Sequence, residues 1–484
     1  MSQSMMKRWR AGPGSFPALA LLVALAGPAL AADPAAAPSG PALSADPVLA
    51  GYVSDALGSL PELARAQANN QADLERIPQS RAMPDPVLSL GIQNDGFRRI
   101  RIGEMESSYL SIMASQTFPW HGKRGLRGEV AGLEARLSET AVDRARLAIA
   151  ADVGRAYLDL LLARDQLSLL GRVESLWTQA EAMARVRYET GDGAQSDLIR
   201  AQLERSRLKQ RRWALEAEDR RRAAVLNRLR GHALDEALPV SRSLLDLPDP
   251  ELPADAAAWQ EAEAQSPELR RAELAAERSS RLVDLAGRDA YPDLTVSAAV
   301  MPRGDAFEPM WQAGVSFPVP VWSGSKQSRA VAENRLRQDA SRQDVASVRQ
   351  LLRQRVTERN LQLGALLEAN RLYRTELLVQ SEATVSSAMA QYQVGRTAFA
   401  SVLDALGGYV ADLGGYLEST AAAQRLDIAR REVSLDPAAG MSAGGAGGTS
   451  VPGAGATGAG SSASAESETP PPAGAAGSSS MSKM

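Results

Sequence analysis

The chain has 484 residues, 44% hydrophobic and only 5% aromatic, with 54 Lys and Arg against 57 Asp and Glu for a formal charge of −3. The absence of cysteine excludes thiolate zinc sites, iron–sulfur clusters, disulfide frameworks and cysteine nucleophiles, and two histidines, His121 and His232, leave no His-based metal triad. Near-balanced charge gives no pull toward nucleic acid, and a mean hydropathy of −0.22 argues against a polytopic helical membrane protein.

The first 31 residues read as a secretory signal peptide: Lys7, Arg8 and Arg10 precede an apolar core from Phe16 to Ala26, and Ala29-Leu30-Ala31 forms a small-x-small cleavage site. Residues 32–47 are rich in Pro and Ala and read as a flexible leader. A first helix is expected over 47–81, followed by two short alternating segments, 86–94 and 108–118. In the first, Leu88, Leu90 and Ile92 alternate with Ser89, Gly91 and Gln93; in the second, Leu110, Ile112 and Ala114 alternate with Ser111, Met113 and Ser115. A proline-free stretch from 123 to 190 would run roughly 100 Å as one helix. Part of it carries the 3–4 stripe Ile149, Val153, Ala156, Leu160, Ala163, Leu167 and Leu170, a coiled-coil spacing. The Gly191-Asp192-Gly193 turn leads to a helix over 197–230, whose arginines are interleaved with Glu216, Glu218 and Asp219 and read as a solvated face.

The pattern then recurs. After a connector from 241, a helix is expected over 255–288, strands over 293–301 and 310–318, a long helix over 326–394, the turn Gly395-Arg396-Thr397, and a helix over 401–431. Met83-Pro84-Asp85 matches Tyr291-Pro292-Asp293 at a displacement of 208, SQTFP at 115–119 matches GVSFP at 314–318 at 199, and Tyr188-Glu189-Thr190-Gly191 matches Tyr392-Gln393-Val394-Gly395 at 204. Residues 48–240 and 241–434 therefore read as two copies of one unit, and 435–484, nearly all Gly, Ala, Ser and Pro, as a disordered tail.

Alternation of apolar and polar residues over about ten positions is the signature of a transmembrane β-strand. Phe118, Trp120, Trp311, Phe317 and Trp322 are the expected membrane-interface aromatics. Four strands cannot close a barrel and lipid tolerates no open sheet edge, so several copies must share one; three copies giving twelve strands is the natural solution.

On the doubled unit, the two Gly turns, and Val394-Gly395 followed by Val402-Leu403-Asp404-Ala405, residues 45–433 resemble the TolC family of trimeric outer-membrane efflux ducts. MPDPVLSLGIQN and SQTFPWHGKRG look most like its copper/silver and cobalt–zinc–cadmium members, with His121 standing where that motif has proline. The resemblance implies a mainly α fold with a small β part: a homotrimeric helical barrel continuous with a twelve-stranded β-barrel in outer-membrane lipid. It implies a passive, cofactor-free duct, not an enzyme, carrying heavy-metal cations or drugs with an inner-membrane resistance–nodulation–division pump and a periplasmic adaptor. It assigns Asp197, Tyr392 and Arg396 to a latch at the periplasmic tip, with Thr397 at the usual place of the basic partner. Asp404 would ring the aperture, Ser401 replacing a second acid, and the two turns, Gly191, Asp192, Gly193, Gly395, Arg396 and Thr397, would meet the adaptor. No metal site is expected in the duct itself: Met83, Met105, Met113, Met301 and Met310, in or beside the strands, read as gap-fillers and lipid contacts. The competing reading is an exported coiled-coil scaffold without a pore.

Overall fold

The computed structural model describes residues 46–239 and 242–436. The expected signal peptide and nearly all of the leader and tail lie outside the described residues. Helix α1 (Pro47–Ser59) is capped by Asp46, whose Oδ1 accepts the Val48 N–H at 3.0 Å. The single helix expected over 47–81 is two, because Pro61 offers no N–H and holds Leu60 extended (φ −75°, ψ 125°); α2 (Pro61–Arg81) starts there. The helix expected over 255–288 breaks for the same reason. Ser266 (φ −71°, ψ 112°) precedes Pro267, ending α5 (Asp255–Gln265) and capping α6 (Pro267–Arg288).

Strands β1 (Val87–Gln93) and β2 (Tyr109–Phe118) lead to α3 (Lys123–Glu189) and α4 (Gln195–Arg230). In the second half, β3 (Leu294–Met301) and β4 (Met310–Ser316) lead to α7 (Gln327–Leu372), a π-turn over Tyr373–Leu377, α8 (Leu378–Gln393) and α9 (Phe399–Glu432). The long helix expected over 326–394 stays helical from Gln327 to Gln393, with its α-helical hydrogen bonding interrupted by the single π-turn. At the interruption Tyr373 leans over Gly415, where a Cβ would stand 2.7 Å from its hydroxyl oxygen, so the bulge and the glycine fit one another.

The 67-residue α3 is the spine. Its stripe packs as expected: Ile149, Val153, Ala156, Leu160, Ala163 and Leu170 are buried, and Leu167 is half-buried. Against it lie Leu49 and Tyr52 of α1, Leu226 of α4, and Leu406, Leu417 and Ile428 of α9. Each such Leu or Ile stabilises by about 1.5–3 kcal/mol.

The sheet follows chain order, β1-β2-β3-β4, all antiparallel. Its register aligns the apolar positions: Leu90 faces Ile112, Ile112 faces Val300, and Val300 faces Trp311. Ser115, Ser297 and Gly314 run across the opposite face. Among the described residues nothing covers the apolar face; Leu90 is 71% exposed and Trp311 80%. Among the described residues no helix is long and apolar enough to cross a membrane.

Candidate functional site: the paired hairpin ends

The two glycine turns sit side by side. In each, a glycine takes the left-handed conformation that ends a helix without a Cβ clash: Gly191 at φ 84° and Gly395 at φ 74°. After Gly191, the N–H groups of Asp192 and Gly193 both return to the Arg187 carbonyl, at 2.9 and 2.8 Å. After Gly395, the Arg396 N–H returns to the Gln391 carbonyl at 2.9 Å. Helices α4 and α9 start two residues earlier than expected, at Gln195 and Phe399, because the extended residues Ala194 and Ala398 already release the next turn.

What joins the turns is Tyr392, only 2% exposed. Its hydroxyl donates to Asp197 Oδ2 at 3.4 Å, and its ring lies 5.1 Å from that of Phe399. Burial pushes the Tyr392 hydroxyl's pKa up, the Asp197 charge adds to that, and Arg187 opposes it. The hydroxyl is therefore a standing donor at neutral pH.

The cation beside this pair is Arg187, not Arg396. Its guanidinium donates to the Tyr392 carbonyl at 2.6 Å and to the Asp192 carbonyl at 2.9 Å, and it sits 4.9 Å from the Tyr392 ring centre. Arg396 points into solvent and makes no ion pair among the described residues. The reason is local: the turn that frees Gly395 carries residue 396 to the outside, whereas residue 187 lies one helical turn before Gly191, on the side facing Tyr392. The signal was present in the sequence, since the position matching Arg187 in the second unit is Gln391 and the two hairpin ends otherwise align. Ser401 and Asp404 are exposed on α9, and Thr397 Oγ1 is enclosed with no hydrogen-bond partner among the described residues.

The interface aromatics do not share one level. Phe118, Trp120, Phe317 and Trp322 lie at the helix end of the sheet, but Trp311, opposite Val300, is at the loop end, because β4 starts at Met310 and runs back toward the helices. Trp120 also has a structural partner, stacking on Tyr291 at 5.2 Å and 10°. Beside it, sequence reasoning missed a buried lock. Lys123, with its side chain 5% exposed, donates to Asp293 Oδ1 at 2.9 Å and to the Tyr291 carbonyl at 2.8 Å, while the Trp120 N–H donates to the same Asp293 oxygen at 2.8 Å. No group of three or more His, Cys, Asp or Glu that could hold a metal occurs among the described residues.

A four-stranded sheet whose apolar face is bare among the described residues, carried on paired helical hairpins, is an architecture of outer-membrane efflux channels. The chain belongs to the outer membrane efflux protein family, whose pattern matches residues 52–232 and 258–440. Protein CyaE of Bordetella pertussis is 31% identical over 182 residues, a match covering 37% of this chain and 38% of that protein. The match thus spans less than half of that relative. Among solved structures, the outer membrane protein VceC of Vibrio cholerae aligns with a TM-score of 0.67 at 16% identity, over 80% of this chain and 95% of that one. The open-state MtrE channel of Neisseria gonorrhoeae gives 0.66 at 19%, over 80% and 89%, and CusC gives 0.65 at 18%, over 81% and 92%. At that identity the likeness is one of fold.

Proposed function

We propose that the chain is the exit duct of a tripartite efflux pump, three copies closing a twelve-stranded barrel in the outer membrane above a periplasmic helical tube. The observation that carries this reading is the sheet: an uncovered apolar face and two open edges, neither tolerable in water nor, singly, in lipid. Each half of the duplicated unit supplies two strands and a helical hairpin, so three copies bring six strands from each half and twelve in all, and the chain works passively, without a cofactor. An adaptor would engage the Gly191 and Gly395 turns, and a pump would supply the energy.

In the resting state Asp197, Tyr392 and Arg187 hold the two hairpin ends together, and Asp404, exposed near the start of α9, would line the aperture. Three carboxylates around a three-fold axis favour cations in a wet pore. Metal cations are accordingly the substrate class to test first and drugs second. The measurement is single-channel conductance in planar bilayers. A cation-preferring pore that loses its preference in Asp404→Ala supports the assignment; conductance without ion preference in the parent protein removes it. A scaffold without a pore would conduct nothing and would stay soluble without detergent.

A further inference from the structure

The single chain contains one complete seam between its two halves and half of a second. In the complete seam β2 pairs with β3, Ser115 opposite Ser297 and Phe118 opposite Leu294. Just below, Lys123 enters the pocket formed by Asp293 and the Tyr291 carbonyl, with Asp289 at 3.6 Å, and Trp120 stacks on Tyr291. The same parts exist once more, unassembled. Lys326 stands at the start of α7 as Lys123 does at the start of α3, and Met83-Pro84-Asp85 precedes β1 as Tyr291-Pro292-Asp293 precedes β3. Lys326 and Asp85 are both exposed and make no ion pair among the described residues. Trp322 is 74% exposed and Met83 37%. The outer edges of β1 and β4 likewise have no partner strand among the described residues.

We propose that a second copy of this chain completes the seam: β4 of one copy pairs with β1 of the next in the register of the internal β2–β3 pair, and Lys326 enters the pocket at Asp85 of the next copy. This rests on the trimeric reading above and adds to it a register, a salt bridge and an aromatic contact. Carrying the internal register across by the displacements of the repeat sets Gly314 against Ser89. Val315 then meets Leu88, Ala313 meets Leu90 and Trp311 meets Ile92, apolar against apolar throughout. A slip of one residue would turn every one of these pairs onto opposite faces. A slip of two would keep the faces but move Lys326 away from Asp85. Trp322 would cover Met83 of the next copy as Trp120 covers Tyr291, a sulfur–aromatic contact in place of a stacked pair. Two differences make this seam the weaker one. The turn from β4 to α7 is four residues longer than the turn from β2 to α3, counted from Phe317 to Lys326 against Phe118 to Lys123. Arg81 stands where the internal seam has Asp289, and its side chain instead lies over Gly128, where a Cβ would come within 2.2 Å of it.

The chain has no cysteine, so introduced thiols report without background. Ser115→Cys with Ser297→Cys should form a disulfide within one chain and calibrates the geometry. Ser89→Cys with Gly314→Cys, purified in detergent and oxidised, should then give covalently joined copies at comparable yield, while Ser89→Cys with Gln312→Cys should give at least fivefold less. As a second measurement, Lys326→Glu should lower the trimer surviving a fixed heating step by about tenfold, three ion pairs being lost together, and adding Asp85→Lys should restore it. A trimer that joins through the Gln312 pair and not the Gly314 pair, or a charge exchange without rescue, overturns the register and the salt bridge while leaving the trimer standing. A monomeric particle in detergent removes both.

Discussion

The two helical hairpins are built from matching stretches of sequence and are held shut by different forces. Between α3 and α4 runs a ladder of charge: Glu181 with Arg205, Glu174 with Arg212, Arg164 with Asp219 at 3.0 Å, and Asp159 with Arg222. Its first two rungs are seven residues apart on each helix, two turns, so they fall on one side of the pair. Between α8 and α9 there is no ion pair, since the only charged residue of α8 is Glu382, which makes none among the described residues. That hairpin closes on Val385, Ala388, Tyr392, Phe399, Val402 and Leu406, and Gly407, Gly408, Gly414 and Gly415 thin out its second helix. The equivalent tyrosines show the same divergence: Tyr188 is 43% exposed and Tyr392 2%. A duplicated unit can thus keep its backbone and exchange its cement. The first hairpin is self-sufficient, whereas the second borrows its end contacts, Asp197 and Arg187, from the first.

The sharpest way to break this contrast is Tyr392→Ala. Loss of a buried aromatic should cost the second hairpin about 3 kcal/mol. Hydrogen exchange should show amides of 378–410 losing protection while those of 160–225 keep theirs; equal loss in both would mean the hairpins open as one. Arg187→Met comes next. It removes two charge-assisted hydrogen bonds to carbonyls, each worth about 1.5–3 kcal/mol at most, and should loosen both turns and raise bilayer conductance. Unchanged conductance would return the latch to Arg396.

Acid separates the two cements. An Arg205 hydrogen bond across the ladder holds the Glu181 carboxyl below its ordinary pKa against the push of burial, and within α4 itself Arg221 and then Arg222 hold Glu218 down at about 2. A carboxylate whose pKa is depressed by folding adds stability that is complete above its ordinary value near 4.5 and is lost as pH falls through the depressed one. Between pH 4.5 and 2 the first hairpin should therefore lose exchange protection progressively while the apolar second hairpin keeps its own. Parallel loss in both would show that the ladder contributes little. The smallest effect is expected from Arg396→Ala: with the side chain in solvent, stability should change by less than about 0.5 kcal/mol. A larger loss in the assembled protein would place Arg396 in a contact between copies.

Much of this molecule was legible because its signals are periodic. Alternation in β1 to β4, the stripe from Ile149 to Leu170, and a pattern that occurs twice need only the spacing of side chains along a helix or strand. Proline decided the breaks at Leu60 and Ser266, but Pro78 lies inside α2 without ending it, so proline alone does not mark where a helix stops. What no linear pattern carries is the choice among equivalent partners. Arg187 and Arg396 are both cations beside a glycine turn, and only the rotation of each helix end puts one over Tyr392 and the other in water. Lys123 and Lys326 stand alike in the sequence, yet Lys123 is buried against Asp293 while Lys326 is exposed and makes no ion pair among the described residues. The sequence by itself determined which segments form helices and strands and which of their faces are apolar, because burial periodicity is local. The tertiary structure alone decided which charges meet, because a contact across 168 to 205 residues, such as Lys123 to the Tyr291 carbonyl or Arg187 to the Tyr392 carbonyl, depends on how packed helices are rotated and offset.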